Sequence, residues 1–231
     1  MPNQRTETLV NTTAADHQSH PAIAMLPDGG WIVVWISTNQ GGDAGGGIWF
    51  QRYNAAGQAV SADGTVVGAA ETHVNTVTAG NQFYPRIAVL SDGKFAIVWD
   101  GYDGQDGSGE GVFAQLFAAD GTPLGAEVLV NATTNGRQAE PLVTALPDGG
   151  YVISWGSNDG PGDASGYRVY AQRFDGNGNF VAWSGAANGN VQAQTLINTS
   201  TSGDQGWNSQ VVLADGKLLM LYGSRHLTNT T

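Results

Sequence analysis

The sequence predicts an all-β fold, a β-propeller-like array of four-stranded antiparallel blades, and three observations predict it. Asn11, Asn75, Asn131 and Asn198 are each followed seven residues later by a glutamine, Gln18, Gln82, Gln138 and Gln205. The same register runs on to Asp28, Asp92, Asp148 and Asp215 and then to Trp35, Trp99, Trp155 and Tyr222. Between these markers, short apolar runs alternate with turns rich in Gly and Asp. An internal repeat of roughly 55 to 67 residues signals identical supersecondary units, none of which buries its apolar face alone. The chain reads as one repeat domain with repeats at approximately 7–70, 71–126, 127–193 and 194–231, the last one incomplete. Repeats of β-sandwich type are the alternative arrangement of the same strands.

The first strand of each repeat is Pro21 to Leu26, Pro85 to Leu90, Pro141 to Leu146 and Asn208 to Leu213. Asp-Gly follows each one, at Asp28-Gly29, Asp92-Gly93, Asp148-Gly149 and Asp215-Gly216, and Asp-Gly between apolar runs is a strong hairpin signal. The returning second strands, Trp31 to Trp35, Phe95 to Trp99, Tyr151 to Trp155 and Leu218 to Tyr222, are apolar at nearly every position and so are covered on both faces. A polar loop then leads to a third strand in which aromatic, Gln and aromatic alternate: Trp49, Gln51, Tyr53; Phe113, Gln115, Phe117; Tyr170, Gln172, Phe174. Hairpins through Gly57, Gly121 and Gly178 lead to a fourth strand that ends on the repeat Asn, at Thr8 to Asn11, Glu127 to Asn131 and Thr195 to Asn198. Two insertions, near 61–69 and 182–190, fall between third and fourth strands. The chain opens on a fourth strand and ends after a second, which leaves one sheet edge unpaired and a candidate contact for a second copy of the chain.

Composition narrows the function. Lys and Arg number 9 against 20 Asp and Glu, a formal charge of -11, which repels nucleic-acid phosphates and anionic lipid. No apolar run reaches membrane-spanning length, so the expected partners exclude nucleic acid and membrane insertion. There is no cysteine, which removes disulfides and thiolate chemistry, and the 34 glycines describe many tight turns. Residues 1–18 carry no basic start and apolar core of a signal peptide.

In an up-and-down blade the loops after the second and fourth strands emerge on one face, and that face is the expected ligand surface. Its second-strand loops carry Asn39 and Asp43, Tyr102, Asp103 and Asp106, and Asp159 and Asp163, and Trp207 lies beside them. Neutral glycans are held by aromatic faces flanked by amides and carboxylates, so these eight residues are the candidate ligand-binding set; Phe83 and Tyr84 lie near the same face. Carboxylates interleaved with glycine suit a hard cation, which makes calcium the candidate cofactor and Asp103 and Asp106 its ligands. Trp35, Trp99, Trp155 and Tyr222 end buried strands and read as structural caps. Gln18, Gln82, Gln138 and Gln205 read as clamps on backbone, and Gln51, Gln115 and Gln172 as satisfied core amides. His17, His20, His73 and His226 are scattered, and no nucleophile elbow, phosphate loop or zinc-protease motif is present. Paired carboxylates such as Asp103 and Asp106 keep glycoside cleavage open as a chemistry.

The run from Pro21 to Tyr53, and again from Pro141 to Phe174, resembles repeat modules found in very large secreted or surface proteins of Gram-negative bacteria. The resemblance covers almost the whole chain. It implies type I secretion beside calcium-binding repeats, an extracellular or cell-surface location without a cleaved leader, and an adhesive or matrix role. The expected function is a glycan-binding or polysaccharide-binding adhesive module of lectin type. A structural or assembly repeat without ligand is one alternative, and a polysaccharide-cleaving glycosidase or lyase is the other.

Overall fold

The computed structural model describes residues 9–13, 15–43, 45–67, 71–102, 104, 106–158, 166–182, 194–198 and 204–225, with backbone only at 204, 207, 208, 224 and 225. The first blade is β1 (Gln18–Met25), β2 (Trp31–Thr38), β3 (Gly46–Tyr53), β4 (Ala59–Val60) and β5 (Thr72–His73). The second is β6 (Asn81–Val89), β7 (Phe95–Tyr102), β8 (Glu110–Phe117) and β9 (Val128–Leu129). The third is β10 (Gln138–Ala145), β11 (Tyr151–Ser157), β12 (Arg168–Phe174), β13 (Phe180–Val181) and β14 (Thr195–Leu196), and β15 (Asp204–Val212) with β16 (Leu218–Arg225) begins a fourth. Each sheet is an antiparallel meander, so the β-propeller-like array of blades expected from the repeat is the architecture. The first strands β1, β6, β10 and β15 pack side by side and line the inside of the array.

The turns form for the reason the Asp-Gly pairs suggested. Asp28, Asp92, Asp148 and Asp215 each accept the backbone N–H two residues on, at 2.8, 3.1, 3.0 and 3.1 Å. The glycine between sits at a φ of +82° to +86°, a region that costs a side chain and costs glycine little. The returning strands β2, β7 and β11 are buried on both faces, as their continuous apolar sequence requires; β16 departs from that expectation, with Leu219 and Leu221 exposed where no further blade covers them among the described residues.

The outer strand departs from the sequence reading. In the first blade it starts before the insertion as β4, breaks, and resumes after it as β5, both pieces pairing with β3. The same split gives β13 and β14 on β12. A chain that leaves the sheet must satisfy the third strand's freed N–H, and here the repeat Asn does so. Asn75, Asn131 and Asn198 accept the N–H of Ile48, Val112 and Val169 at 2.7, 2.8 and 2.9 Å. Their amides then donate to Gln82, Gln138 and Gln205 on the next blade's first strand, at 3.5, 3.4 and 3.3 Å. Gln18, Gln82 and Gln138 in turn donate to the carbonyls of Ala15, Ala79 and Asn135, which makes these glutamines clamps at blade joints.

Blades adhere through their faces. Ile32, Val34, Ile36, Ile48 and Phe50 of the first interdigitate with Phe95, Ile97, Trp99, Phe113 and Phe117 of the second. Ala96, Val98, Val112 and Leu116 then meet Tyr151, Ile153, Trp155 and Phe174 of the third. Each fully buried aromatic in these seams contributes about 1.5–3 kcal/mol. Trp99 and Trp155, 1 and 0% exposed, lie in these seams, and Trp35, 3% exposed, lies in a separate cluster with Val33, Trp49 and Tyr53 of the first blade. Gln51, Gln115 and Gln172 are buried too, and donate to the backbone carbonyls of Arg52, Leu116 and Arg173 at 2.8, 2.9 and 3.3 Å.

Candidate functional site

Every first strand carries a β-bulge at one register position. Ser19 pairs with Ile36 and Ala22 with Val34, so His20 and Pro21 together face Trp35; Tyr84-Pro85 and Glu140-Pro141 repeat the arrangement, and Trp207-Asn208 does so in β15. His20, Tyr84 and Glu140 take φ values of +53°, +47° and +57°. A non-glycine residue in that region costs on the order of 1–3 kcal/mol, and such strain gathers at ligand sites, where bulges re-aim side chains. These residues stand nine positions after each repeat Asn, as does Trp207. The repeat keeps the bulge there while the side chain changes from imidazole to phenol to carboxylate to indole. His20 and Glu140 are exposed and Tyr84 is half-buried. The His20 and Tyr84 rings meet edge to face at 5.2 Å and 87°.

Behind Glu140 one residue breaks the repeat. Asp100 occupies the position after the buried tryptophan, where the other repeats have Ile36, Gly156 and Gly223. It is 1% exposed; Glu140 N–H donates to its Oδ2 at 3.4 Å, and its Oδ1 has no hydrogen-bond partner among the described residues. Burial pushes its pKa up to about 8; the Glu140 amide and Arg137 oppose the rise, and the Glu110 carboxylate adds to it. Arg137 donates to Glu110 and, at 3.2 Å, to the Tyr167 hydroxyl. Burial works against its charge, but Tyr167 and Glu110 outweigh it and hold the guanidinium's pKa above its usual value. The junction of the second and third blades therefore brings together three acidic residues and one arginine, a corner that the first two blades do not repeat.

The residues expected from sequence fall in several places. Tyr102 is exposed at the end of β7, opposite Glu110 in the β7–β8 register. Asn39 is exposed at a φ of +58°, its N–H donating to Gly45 at 2.9 Å. Asp43 instead turns inward: Oδ1 accepts Asn75 Nδ2 at 3.2 Å and Oδ2 lies 3.1 Å from His73 Nε2, whose ring stacks on Trp49 at 4.5 Å. Asp106 is 9% exposed and accepts the N–H groups of Ser108 and Gly109 at 2.9 and 3.0 Å, the geometry of a carboxylate bracing its own loop. Asp103, Asp159 and Asp163 lie outside the described residues, as does the side chain of Trp207. Among the described residues no three His, Asp or Glu side chains stand together as a metal site. Of the bulge residues, Trp207 stands in the candidate set read from sequence and Tyr84 beside it, His20 reads there only as one of four scattered histidines, and neither Glu140 nor, behind it, Asp100 is singled out from sequence. The signal that finds them is a register position of varying chemistry inside an otherwise repeating pattern.

No protein-family model and no curated protein matches the sequence. Solved structures do share the fold. An N-acetylgalactosamine deacetylase from F. plautii, in complex with blood group B trisaccharide, superposes with a TM-score of 0.53 at 11% identity, over 90% of this chain and 63% of that one. An endo-arabinase from Bacteroides thetaiotaomicron superposes at 0.51 and 15% identity, over 87% of this chain and 68% of that one. An exo-1,5-alpha-L-arabinanase from a bovine ruminal metagenomic library gives 0.51 and 16%, over 92% and 71%. At these identities the likeness is one of fold. This chain spans about two thirds of each neighbour.

Proposed function

We propose that this domain binds a neutral polysaccharide at the inner end of its blades and cleaves it there, with Glu140 as the acid–base group and Asp100 as the residue that positions it. The observation that carries this reading is the break in repeat symmetry at Asp100. A spacer has no use for a buried, protonated carboxyl set behind one exposed, strained glutamate, and a multivalent lectin would carry that pair in every blade. A glycosidase needs one asymmetric corner with carboxyl groups in unlike surroundings.

The chemistry is hydrolysis: the glycosidic C–O bond breaks, the leaving oxygen gains a proton, and water supplies hydroxyl to the anomeric carbon. Glu140, exposed and fixed by its bulge, is the group that exchanges that proton. Asp100, protonated below about pH 8, accepts the Glu140 N–H and spares the corner a further negative charge beside Glu110. Support for a glycan also comes from the His20–Tyr84 ring pair at the neighbouring blade junction and from the fold shared with the two arabinan-cleaving enzymes. An extracellular setting, where polysaccharide is met, belongs to the same proposal.

The test is release of reducing ends from arabinan and a panel of neutral polysaccharides by the wild-type chain, Glu140→Gln and Asp100→Asn. Turnover lost in Glu140→Gln, and lowered with a shifted alkaline limb in Asp100→Asn, supports the reading. Binding without turnover on any substrate would return the domain to an adhesive, non-catalytic role.

A further inference from the structure

We infer that His20 and Tyr84 form a saccharide-stacking platform at the junction of the first and second blades, a binding site for the CH-rich face of a neutral sugar ring. The inference rests on the inner-face glycan site of the proposed function and adds the residues that would hold the sugar there.

Repeat positions that serve the fold keep their residue: Asn75, Asn131 and Asn198 hold the same bond in three blades, and Trp35, Trp99 and Trp155 fill the same place. The bulge position keeps its backbone and changes its residue, which is the pattern of a surface selected for what it touches. Aromatic contacts that join blades are buried, as the edge-to-face pairs of Phe50 with Phe95 and with Phe117 are. The His20–Tyr84 pair has the same geometry, at 5.2 Å and 87°, yet His20 is exposed and Tyr84 only half-buried. Both residues hold a strained φ ahead of a proline, a conformation that blade adhesion does not need. Two rings at right angles make a corner in which a sugar lays its apolar face on one ring and turns its hydroxyl edge to the other. His20 Nδ1 is engaged by Ser19 Oγ at 3.0 Å, which leaves Nε2 for a hydroxyl, and the Tyr84 hydroxyl supplies a second polar group. Phe83, tilted against Tyr84 with centroids 6.3 Å apart, supports the tyrosine ring from its own strand.

The experiment measures affinity for soluble neutral polysaccharides, arabinan among them, by affinity electrophoresis and calorimetry. It uses the full chain carrying Glu140→Gln, so that binding is read apart from turnover. Tyr84→Ala is expected to weaken binding about tenfold, and Tyr84→Phe and His20→Ala to weaken it less, the phenylalanine losing only the hydroxyl contact. In the catalytic background, Tyr84→Ala should raise KM and leave kcat in place. Each variant's circular dichroism and melting curve establishes that it folds, and His20→Ala stands in should Tyr84→Ala fail to. Folded variants that bind as the wild type does would overturn the inference, as would a wild-type chain that binds nothing in the panel. Binding that depends on Tyr84 in a chain without turnover would keep the platform and sink the glycosidase reading alone.

Discussion

Asn75 joins the first two blades through Gln82: its Oδ1 takes the Ile48 N–H at 2.7 Å, and its Nδ2 reaches Gln82 Oε1 at 3.5 Å and Val77 O at 2.9 Å. The side chain stands in for a strand that has just left the sheet, and Ile48 O still receives the Val74 N–H at 2.8 Å. One buried amide thus ends a ladder and starts the next blade.

Replacing Asn131, the same joint one blade on, with alanine orphans the Val112 N–H at the middle of the molecule. An unsatisfied buried donor costs about 1–3 kcal/mol beyond the bond itself, so Asn131→Ala should destabilise by about 2–4 kcal/mol. Asn131→Asp keeps the acceptor, loses the donation to Gln138 Oε1 and sets two oxygens against each other. Chemical denaturation of both variants checks this; an alanine variant within 0.5 kcal/mol of wild type, a threshold of about the scatter of neutral surface changes, would show that the joint carries little.

The fold was legible because its signals are local and repeat. Asp-Gly turns, apolar second strands and the seven-residue Asn–Gln spacing recur in every copy within a short stretch of chain, although the next blade completes the Asn–Gln bond and covers the strand faces. The split outer strand was not legible, since β4 and β5 are two residues each and pairing on β3 decides them. The candidate site was harder still. Asp43 and His73 lie far apart in sequence and meet only because β5 returns to β3 beside Trp49. Asp100 reads as an ordinary residue at the end of a strand; its burial comes from β10 of the next blade, which the sequence of β7 does not contain.

Gly47→Ala should be among the most damaging small substitutions in the first blade. A Cβ there would stand 1.7 Å from Asp43 Oδ2, and that carboxylate cannot retreat without leaving both His73 and Asn75. Losing its partners while still buried should cost about 2–4 kcal/mol. A lowered melting temperature together with altered Trp49 fluorescence is expected, since the His73 ring stacks on that indole. An unchanged melting temperature would mean that Asp43 does not brace the loop.

Glu71 ties the segment that enters the first blade to the strand that leaves it. It accepts from Thr12 Oγ1 at 2.8 Å, Thr13 N–H at 3.2 Å, Thr13 Oγ1 at 3.1 Å and Gln40 Nε2 at 2.6 Å. Burial alone would raise its pKa, but these donors outweigh it and hold the carboxyl below its ordinary value. The support it gives is therefore present above the ordinary glutamate range and lost as pH falls through the lowered value. Glu71→Ala should expose residues 9–13 to hydrogen exchange and proteolysis at neutral pH while the second and third blades keep their protection. Uniform loss of protection across all blades would contradict so local a role.

Asp100→Asn should stabilise the chain, and more so as pH rises. The folded protein holds the Asp100 proton up to about pH 8, whereas in the unfolded chain it leaves near 3.8. Between those values the folded state binds the extra proton, so this group's contribution is full below the unfolded pKa and falls as pH rises, by at most about 1.4 kcal/mol per unit, levelling off above about 8. Asparagine keeps a carbonyl acceptor for the Glu140 N–H and has no proton to lose, so the variant escapes that decline. The difference in melting temperature between Asp100→Asn and wild type should widen steadily from pH 5 to pH 8, with all other groups cancelling. A native residue whose removal stabilises the fold is one retained for what it does to its neighbours, and here the neighbour is Glu140. Should the difference stay constant across that range, Asp100 would be ionised in the folded chain and the proton-holding role would fall with it.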